Sequence, residues 1–150
     1  MFHIEHNSWQ SRCQDIRRVR ECVFVYECRI PKTVEFDAAD PLSEHVVVYD
    51  DEQPIATGRL CPDGYLSRVA VIPSKRKTQA AKIVIQHLTD IAKRKKMEKL
   101  MVSSDLLHVS DMLSQGFQPC SGVYMEAGVA RQKFSCPTHQ FCSTCWVAWH

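Results

Sequence analysis

The spacing of apolar residues at the start of the chain predicts a strand followed by a helix. Phe2 to His6 alternate between apolar and polar side chains, and Asn7 or Ser8 is a residue that can cap a helix. The apolar stripe of that helix consists of Trp9, Cys13, Ile16, Val19 and Val23. Four arginines fall largely off this stripe, which favours a solvated face: Arg12, Arg17, Arg18 and Arg20.

Residues 30–43 then break the regular pattern. This stretch is acidic and carries a proline near each end, so a long helix is disfavoured and a long loop or a broken short helix is predicted. Three strands in series follow at Val46 to Tyr49, Ile55 to Leu60 and Tyr65 to Ile72, separated by turn residues.

Pro73 ends the third strand, and the next segment has helical spacing. Its apolar positions are Ala80, Ala81, Val84, Ile85, Leu88, Ile91 and Ala92. Lys93 to Lys96 close this helix, where cations favour the negative end of the helix dipole. We interpret them as a solvated last turn rather than as a nucleic-acid patch.

The pattern in the last third of the chain predicts one more strand, one more helix and a closing pair of strands. Leu100 to Ser103 fits a short buried strand, Ser104 or Asp105 caps a helix that ends at Gly116, and two closing strands span Phe117 to Met125 and Arg131 to Phe134. The order of elements predicts an α+β fold with a mixed sheet and a helix that crosses between parallel strands.

Size and charge limit the classes of protein that fit. The chain has 150 residues, of which 45% are hydrophobic, and this suits one domain at 1–135 followed by a cysteine-rich tail at 136–150. A net charge of +2 gives no overall attraction to nucleic acid or to a membrane surface. No segment approaches the roughly 18 consecutive apolar residues of a membrane span, and the first ten residues lack the pattern of a signal peptide, so a cytoplasmic location is expected.

The strand, loop and helix of residues 66–92 have the layout of a phosphate site. The first turn of a helix presents unpaired N–H groups and the positive end of a dipole, and this loop adds Lys75, Arg76, Lys77 and Lys82. A solvated basic loop is the alternative interpretation.

Residues 10–134 also resemble a known family in the order of their motifs. The matching positions are Arg20, Val23, Phe24, Glu27, Pro31, Glu35, Asp37, Asp40, His45, Val46, the run Ala56 to Leu60 and the run Arg68 to Val71. On these residues the chain resembles the GNAT-type N-acetyltransferases, above all the small ElaA and YjcF type of bacteria. The resemblance implies the GNAT acyl-CoA N-acyltransferase fold and acetyl-CoA as the co-substrate.

The resemblance also implies which residues bind acetyl-CoA. In such enzymes the pantetheine arm pairs with the strand before the loop, here Val69, Ala70 and Val71, and the diphosphate binds the loop and helix start, here Arg76, Lys77, Thr78, Gln79, Ala80 and Ala81. Two positions depart from the pattern, because Lys77 and Gln79 stand where the family has glycine. A third departure is Met112, which lies where the family carries a tyrosine that protonates the leaving thiolate.

Four residues are candidates for catalysis and for binding the acceptor. Glu27 and His45 are candidate bases, and Glu35 and Asp37 would attract a cationic amine. A structural histidine and a solvated acidic loop are the alternatives. The predicted function is transfer of acetyl to a small amine by direct attack in a ternary complex, and the alternative is a catalytically silent GNAT-like domain that acts through an interface.

The eight cysteines fall into two groups. We expect Cys13, Cys22, Cys28, Cys61 and Cys120 to be buried free thiols. The tail contains Cys136, His139, Cys142, Cys145 and His150, whose compact spacing is a weak match to a zinc site. No bound metal is predicted for the domain; a redox role, or packing of the tail on the domain or on the second subunit of a homodimer, is the other interpretation of the tail.

Overall fold

The computed structural model describes residues 1–141, which form two antiparallel sheets and four α-helices. The helices are α1 (Trp9–Arg20), α2 (Lys32–Glu35), α3 (Ala80–Arg94) and α4 (Val109–Ser114). The strands are β1 (Phe2–Asn7), β2 (Glu44–Asp50), β3 (Gln53–Leu60), β4 (Leu66–Val71), β5 (Lys99–Asp105), β6 (Gln118–Pro119), β7 (Tyr124–Glu126) and β8 (Val129–Pro137). A wide π-helical segment, Glu21–Glu27, continues α1.

The two sheets meet at one point. The first sheet has the order β1-β2-β3-β4, and in the second sheet β5 pairs with β8, which also pairs with β6 and β7. Between the sheets, one parallel bridge is present within residues 1–141. It joins Tyr65 to Met101, and the Met101 N–H donates to the Gly64 carbonyl oxygen at 2.9 Å. Because the pairing stops there, β4 and β5 separate and leave an open gap in the sheet. The predicted α+β fold and the crossover through a helix are confirmed.

Helix α3 covers the first sheet with its apolar stripe. Val84, Ile85, Leu88 and Ile91 are all buried in the main core. Gly58 in β3 permits this close packing, because a Cβ atom at that position would lie 2.4 Å from Val84 Cγ1 and 2.8 Å from Leu88 Cδ1. This packing seats the first turns of α3 against the sheet beside β4.

Most predicted elements agree with the structure, and the closing strands differ most. The predicted strand Phe117 to Met125 is only two short pieces, β6 and β7, because Pro119 lacks an N–H and Gly122 favours irregular backbone. By contrast, β8 is longer than predicted, and Phe141 beyond it packs edge-on against Phe117 with ring centres 5.8 Å apart. The main core therefore includes residues beyond the predicted boundary at 135.

The region between α1 and β2 contains short helical pieces, which agrees with the predicted broken short helix and not with the predicted long loop. It contains α2 and a 3₁₀ turn, Asp40–Leu42, with the prolines Pro31 and Pro41 at their starts. No helix within residues 1–141 is long and apolar enough to cross a bilayer.

Candidate active site

A cavity of about 780 Å³ opens where β4 and β5 separate. One wall is formed by β4, the loop after it and the start of α3. The opposite wall is formed by β5 and the β7–β8 hairpin. The side chains from this second wall are polar: Ser103, Asp105, Glu126 and Arg131. Val23 and Phe24 of the π-helical segment close the cavity on a third side.

A β-bulge interrupts β4 in the cavity wall. Thr57 of β3 faces Ala70 and Arg59 faces Ser67, so Gly58 lies opposite two residues of β4, Arg68 and Val69. Arg68 adopts a φ of 55°, in the left-handed region that a branched or long side chain rarely occupies. Such bulges redirect a strand and occur next to active sites.

The start of α3 presents unpaired backbone donors to the cavity. No acceptor within residues 1–141 lies in hydrogen-bonding geometry to the N–H groups of Lys77, Gln79, Ala81 and Lys82, whereas the Ala80 N–H donates to Thr78 Oγ1 at 3.2 Å. A helix of this length adds the positive end of its dipole at the same place. This geometry suits a diphosphate.

The two missing glycines do not distort this loop. Gln79 has a φ of −85°, which any residue adopts, and Lys77 is not among the residues with positive φ. Since the backbone here needs no glycine, the substitution leaves the N–H groups oriented as a helix start orients them.

Arg76 of this loop forms a bidentate ion pair with Glu27. Its Nη1 donates to Glu27 Oε2 at 2.7 Å, its Nη2 donates to Glu27 Oε1, and its Nε donates to the Val71 carbonyl oxygen at 3.2 Å. The hydrogen bonds from Arg76 lower the pKa of Glu27. The structure therefore brings the predicted base Glu27 to the predicted phosphate loop, where it is held as a carboxylate.

Arg20 is the centre of a buried ionic network, so the expectation that it is solvated is wrong. It is only 1% exposed. Its Nε donates to Glu35 Oε2 and its Nη1 donates to Asp40 Oδ1, both at 2.6 Å. Arg59 Nη1 contacts Asp40 Oδ1 at 3.0 Å and Asp37 Oδ1 at 2.7 Å. The 3.6-residue spacing places Arg20 beside the apolar stripe, and the acidic segment supplies its partners.

The predicted acceptor-binding carboxylates, Glu35 and Asp37, are paired with arginines in this network. Glu35 lines the cavity but is buried, and Arg68 Nε lies 3.3 Å from its Oε2. Burial raises the pKa of Glu35, against the opposing effect of Arg20 and Arg68. Asp37 is not among the cavity residues and binds Arg59 and Arg68. Their predicted role in binding an amine stays a prediction, and this pairing does not favour it.

His45 lies in the protein core, away from the cavity. It is fully buried, its Nε2 donates to the Asp40 carbonyl oxygen at 2.9 Å, and its Nδ1 has no hydrogen-bond partner among residues 1–141. Burial lowers the pKa of His45. These contacts fit the structural alternative, and the role of a base stays a prediction.

The remaining predicted residues of the acetyl-CoA site do line the cavity, with one exception. Those in contact with it are Val69, Ala70, Val71, Arg76, Lys77, Thr78, Gln79 and Ala81, whereas the Ala80 side chain is buried under the helix start. Met112 is fully buried in the core and provides no proton donor.

A polar cluster on the opposite wall was not identified from the sequence. Arg131 Nε donates to Ser103 Oγ at 2.7 Å, and Ser103 Oγ lies 2.9 Å from Tyr124 Oη. Tyr65, at the bridge between the sheets, also lines the cavity. Burial raises the pKa of Tyr65, and Tyr124 and Glu126 raise it further. Alternation along β5 could have indicated Ser103, but the partners on β7 and β8 lie far away in sequence.

The cysteines differ from the expectation of burial. Among residues 1–141 no two cysteines form a disulfide with each other. Cys61 and Cys136 are buried, whereas Cys28 and Cys120 are exposed. Cys136 Sγ contacts the Pro137 carbonyl oxygen at 3.5 Å. No group of three potential metal ligands occurs in the described part of the chain. Cys142, Cys145 and His150 lie outside the described residues.

The split sheet, the bulged strand beside the split and the helix start above it define the acyl-CoA N-acyltransferase fold. A model of the acetyltransferase (GNAT) family matches residues 7–117, and the chain belongs to this family. Its members transfer acyl groups from coenzyme A thioesters, which makes this protein an acyltransferase by family.

Individual proteins of Bacillus subtilis and Escherichia coli are similar to the chain. The uncharacterized protein YyaT of B. subtilis strain 168 is 27% identical over 134 residues, which cover 85% of this chain and 90% of that protein. The uncharacterized N-acetyltransferase YjcF of the same strain is 38% identical over 86 residues, which cover 55% of this chain and 61% of that protein. The crystal structure of E. coli ElaA has a TM-score of 0.73 at 15% identity, covering 89% of this chain and 98% of that chain, and shows the shared fold. The predicted resemblance to the ElaA and YjcF type is confirmed.

Proposed function

We propose that the protein is an N-acetyltransferase that moves acetyl from acetyl-CoA to a small amine by direct attack in a ternary complex. One observation carries this proposal: the cavity joins the unpaired N–H groups at the start of α3 to a polar wall across the gap between β4 and β5. A diphosphate-bearing donor and a polar acceptor can therefore bind next to each other in one cavity. Because no two cysteines of residues 1–141 form a disulfide with each other, we propose a reducing, cytoplasmic location.

The donor would lie along β4 and the loop that follows it. The N–H groups of Lys77, Gln79, Ala81 and Lys82 would bind its diphosphate, since hydrogen bonds to a charged acceptor are stronger than neutral ones. Val69 to Val71 would pair with the amide groups of its pantetheine arm, in the manner of a strand added to an exposed edge.

Acetyl-CoA supplies an activated thioester, and the protein must position the amine and handle protons. The amine nitrogen forms a bond to the acetyl carbon as the carbon–sulfur bond breaks, and the thiolate takes up a proton. Met112 cannot supply it. Tyr65 lines the cavity at the bridge between the two sheets, and its phenol carries an O–H donor at neutral pH, so we assign the proton donor to Tyr65.

Acetyl-CoA titration by calorimetry tests the donor site. Arg76→Ala should weaken binding by roughly tenfold, because it removes a positive charge beside the bound diphosphate and leaves the Glu27 carboxylate there without its partner. Glu27→Gln should have the opposite effect and tighten binding a few-fold, since it releases Arg76 from its ion pair. Arg94→Ala is the matched control, because Arg94 is exposed at the far end of α3.

The same titration separates the two functional hypotheses. Binding that Arg76→Ala weakens, together with acetylation of an amine, supports the enzyme. Micromolar binding without turnover of any amine supports the catalytically silent domain. Absence of binding at millimolar acetyl-CoA would refute the proposed donor site.

A further inference from the structure

On the basis of the proposed function, we infer that the acceptor amine also carries a carboxylate, as a free amino acid does, and that Arg131 binds this carboxylate while Glu126 faces the amine. Both residues lie on the β7–β8 hairpin and line the same cavity. The inference rests on their partners, which differ from those of the other charged residues of the cavity.

Arg131 is held in place by neutral oxygens. Its Nε donates to Ser103 Oγ at 2.7 Å and its Nη2 donates to the Ser103 carbonyl oxygen at 3.1 Å. These bonds fix one edge of the planar guanidinium without neutralising its charge. The group is half-buried at the cavity wall, where a charge without a counterion is unfavourable and a bound anion is stabilising.

The other arginines that line the cavity already have carboxylate partners. Arg68 contacts Glu35 and Asp37, and Arg76 contacts Glu27. Within residues 1–141, no carboxylate oxygen lies within 4.0 Å of a side-chain nitrogen of Arg131. Among the arginines that line the cavity, Arg131 is therefore the one without a carboxylate partner within residues 1–141, and a bound ligand would supply this partner.

Glu126 supplies the opposite charge on the same wall. Its side chain is half-buried and lines the cavity, and no cationic nitrogen of the described chain lies within 4.0 Å of its carboxylate. Asp105 lines this wall too, but its carboxylate accepts from the His108 ring at 2.7 Å and from the Leu107 N–H at 3.0 Å. A cation and an anion on one wall, each without a protein counterion, match a ligand that carries both charges.

The position of these residues separates them from the donor site. The diphosphate donors belong to the β4 and α3 side of the cavity, whereas Arg131 and Glu126 belong to the β5 and β8 side. We therefore assign the pair to the acceptor and not to acetyl-CoA.

The assignment also accounts for the protons of the reaction. At neutral pH the acceptor nitrogen is an ammonium, and Glu126 takes one proton from it and passes that proton to solvent. The free amine then forms the carbon–nitrogen bond, and the electrons of the carbon–sulfur bond leave with sulfur. The thiolate takes a proton from Tyr65, and the second proton that nitrogen loses returns through solvent to the Tyr65 phenolate. The products are the N-acetyl amino acid, free coenzyme A and one released proton.

Matched acceptors test the inference directly. Rates of coenzyme A release would be measured with L-leucine, L-methionine and L-glutamine, and with the primary amide of each, which keeps the amine but lacks the carboxylate. We expect kcat/KM for at least one acid to exceed that for its amide by roughly tenfold or more. Arg131→Met should remove this preference by raising KM for the acid alone, and Arg131→Lys should keep part of it. Arg94→Met, an exposed control, should change neither value.

Two readouts separate failure of the inference from failure of the proposed function. If Arg131→Met retains its fold by thermal denaturation but loses affinity for acetyl-CoA, Arg131 serves the donor and the inference is overturned. If amides react as well as acids, or if Arg131→Met leaves the preference unchanged, the inference is overturned while the acetyltransferase stands. If acetyl-CoA binds and no amine reacts, the proposed function fails. Calorimetry on the acetyl-CoA-saturated protein then tests the inference separately. Amino acids that bind more tightly than their amides support it, and equal or absent binding overturns it.

Discussion

Arg20→Met should destabilise the protein strongly, although Arg20 lies on a helix that the sequence marks as amphipathic with a charged outer face. Arg20 makes four hydrogen bonds, to Glu35 Oε2, the Glu35 carbonyl oxygen and both carboxylate oxygens of Asp40. Methionine preserves much of the volume and removes the charge. Two buried carboxylates then lose their main partner, which is far less favourable than replacing a whole buried pair by apolar groups.

The neighbouring arginines limit the magnitude of this loss. Arg59 still contacts Asp40 at 3.0 Å, and Arg68 still contacts Glu35 at 3.3 Å, so the effect should resemble one broken buried pair and not two. Such a change lowers the free energy of unfolding by about 3–5 kcal/mol. For a domain of this size it corresponds to a fall in Tm of roughly 6–20 °C.

Urea denaturation followed by circular dichroism measures the effect. Arg18→Met is the matched control, because Arg18 is exposed on the same helix and should change the free energy of unfolding by about 0.5 kcal/mol or less. In a double-mutant cycle, Arg20→Met with Glu35→Gln should lose less than the sum of the single changes. A loss below about 1 kcal/mol for Arg20→Met would refute the argument that this network is stabilising.

Three further predictions concern the core and the cavity. Because the pKa of His45 is lowered in the folded protein, the unfolded chain takes up this proton at a higher pH, and the free energy of unfolding should fall as pH drops below about 6.5. His45→Gln should weaken this pH dependence in urea titrations between pH 7.5 and 5.5. An unchanged slope in the variant would contradict the assignment. Gly58→Ala should lower the free energy of unfolding by about 1–3 kcal/mol, because its Cβ atom would overlap with side chains of α3. Adding Val84→Ala should restore part of this free energy. If Gly58→Ala lowers the free energy of unfolding by only about 0.5 kcal/mol or less, α3 shifts freely and the argument fails. Tyr65→Phe should reduce kcat about tenfold or more while acetyl-CoA affinity in calorimetry stays constant, and an unaltered kcat would rule out Tyr65 as the proton donor.

Most helices and strands were predictable because their signals are local, whereas the family fold was assigned from the order of the matching motifs. The stripe of α3 repeats every three or four residues, and Ser8 caps α1 through a hydrogen bond with Ser11, three positions away. The loop before α3 was also identified, because a strand followed by basic residues and a helix indicates unpaired N–H groups by itself. Prediction was weakest at Phe117 to Met125, where apolar residues are mixed with Pro119 and Gly122 and local preferences are divided.

The partners of the charged side chains were not predictable, since they come from distant parts of the chain. Arg20 and Glu35 are 15 positions apart, Arg131 and Ser103 are 28 apart, and Arg76 and Glu27 are 49 apart. A spacing rule assigns a side chain to a face of its own element, but burial of that face depends on which other element packs against it. For this reason Arg20 looked solvated and Glu35 looked available to a substrate.

The amino-acid sequence by itself determined the elements, their order and the place of the phosphate loop, because hydrogen bonding within a helix and alternation along a strand act over a few residues. Only the tertiary structure decided which charges are neutralised within the protein and which face the cavity. Electrostatic pairing is decided by distance in space, and the gap between β4 and β5, which brings Tyr65, Glu126 and Arg131 to one cavity, exists only after both sheets have formed.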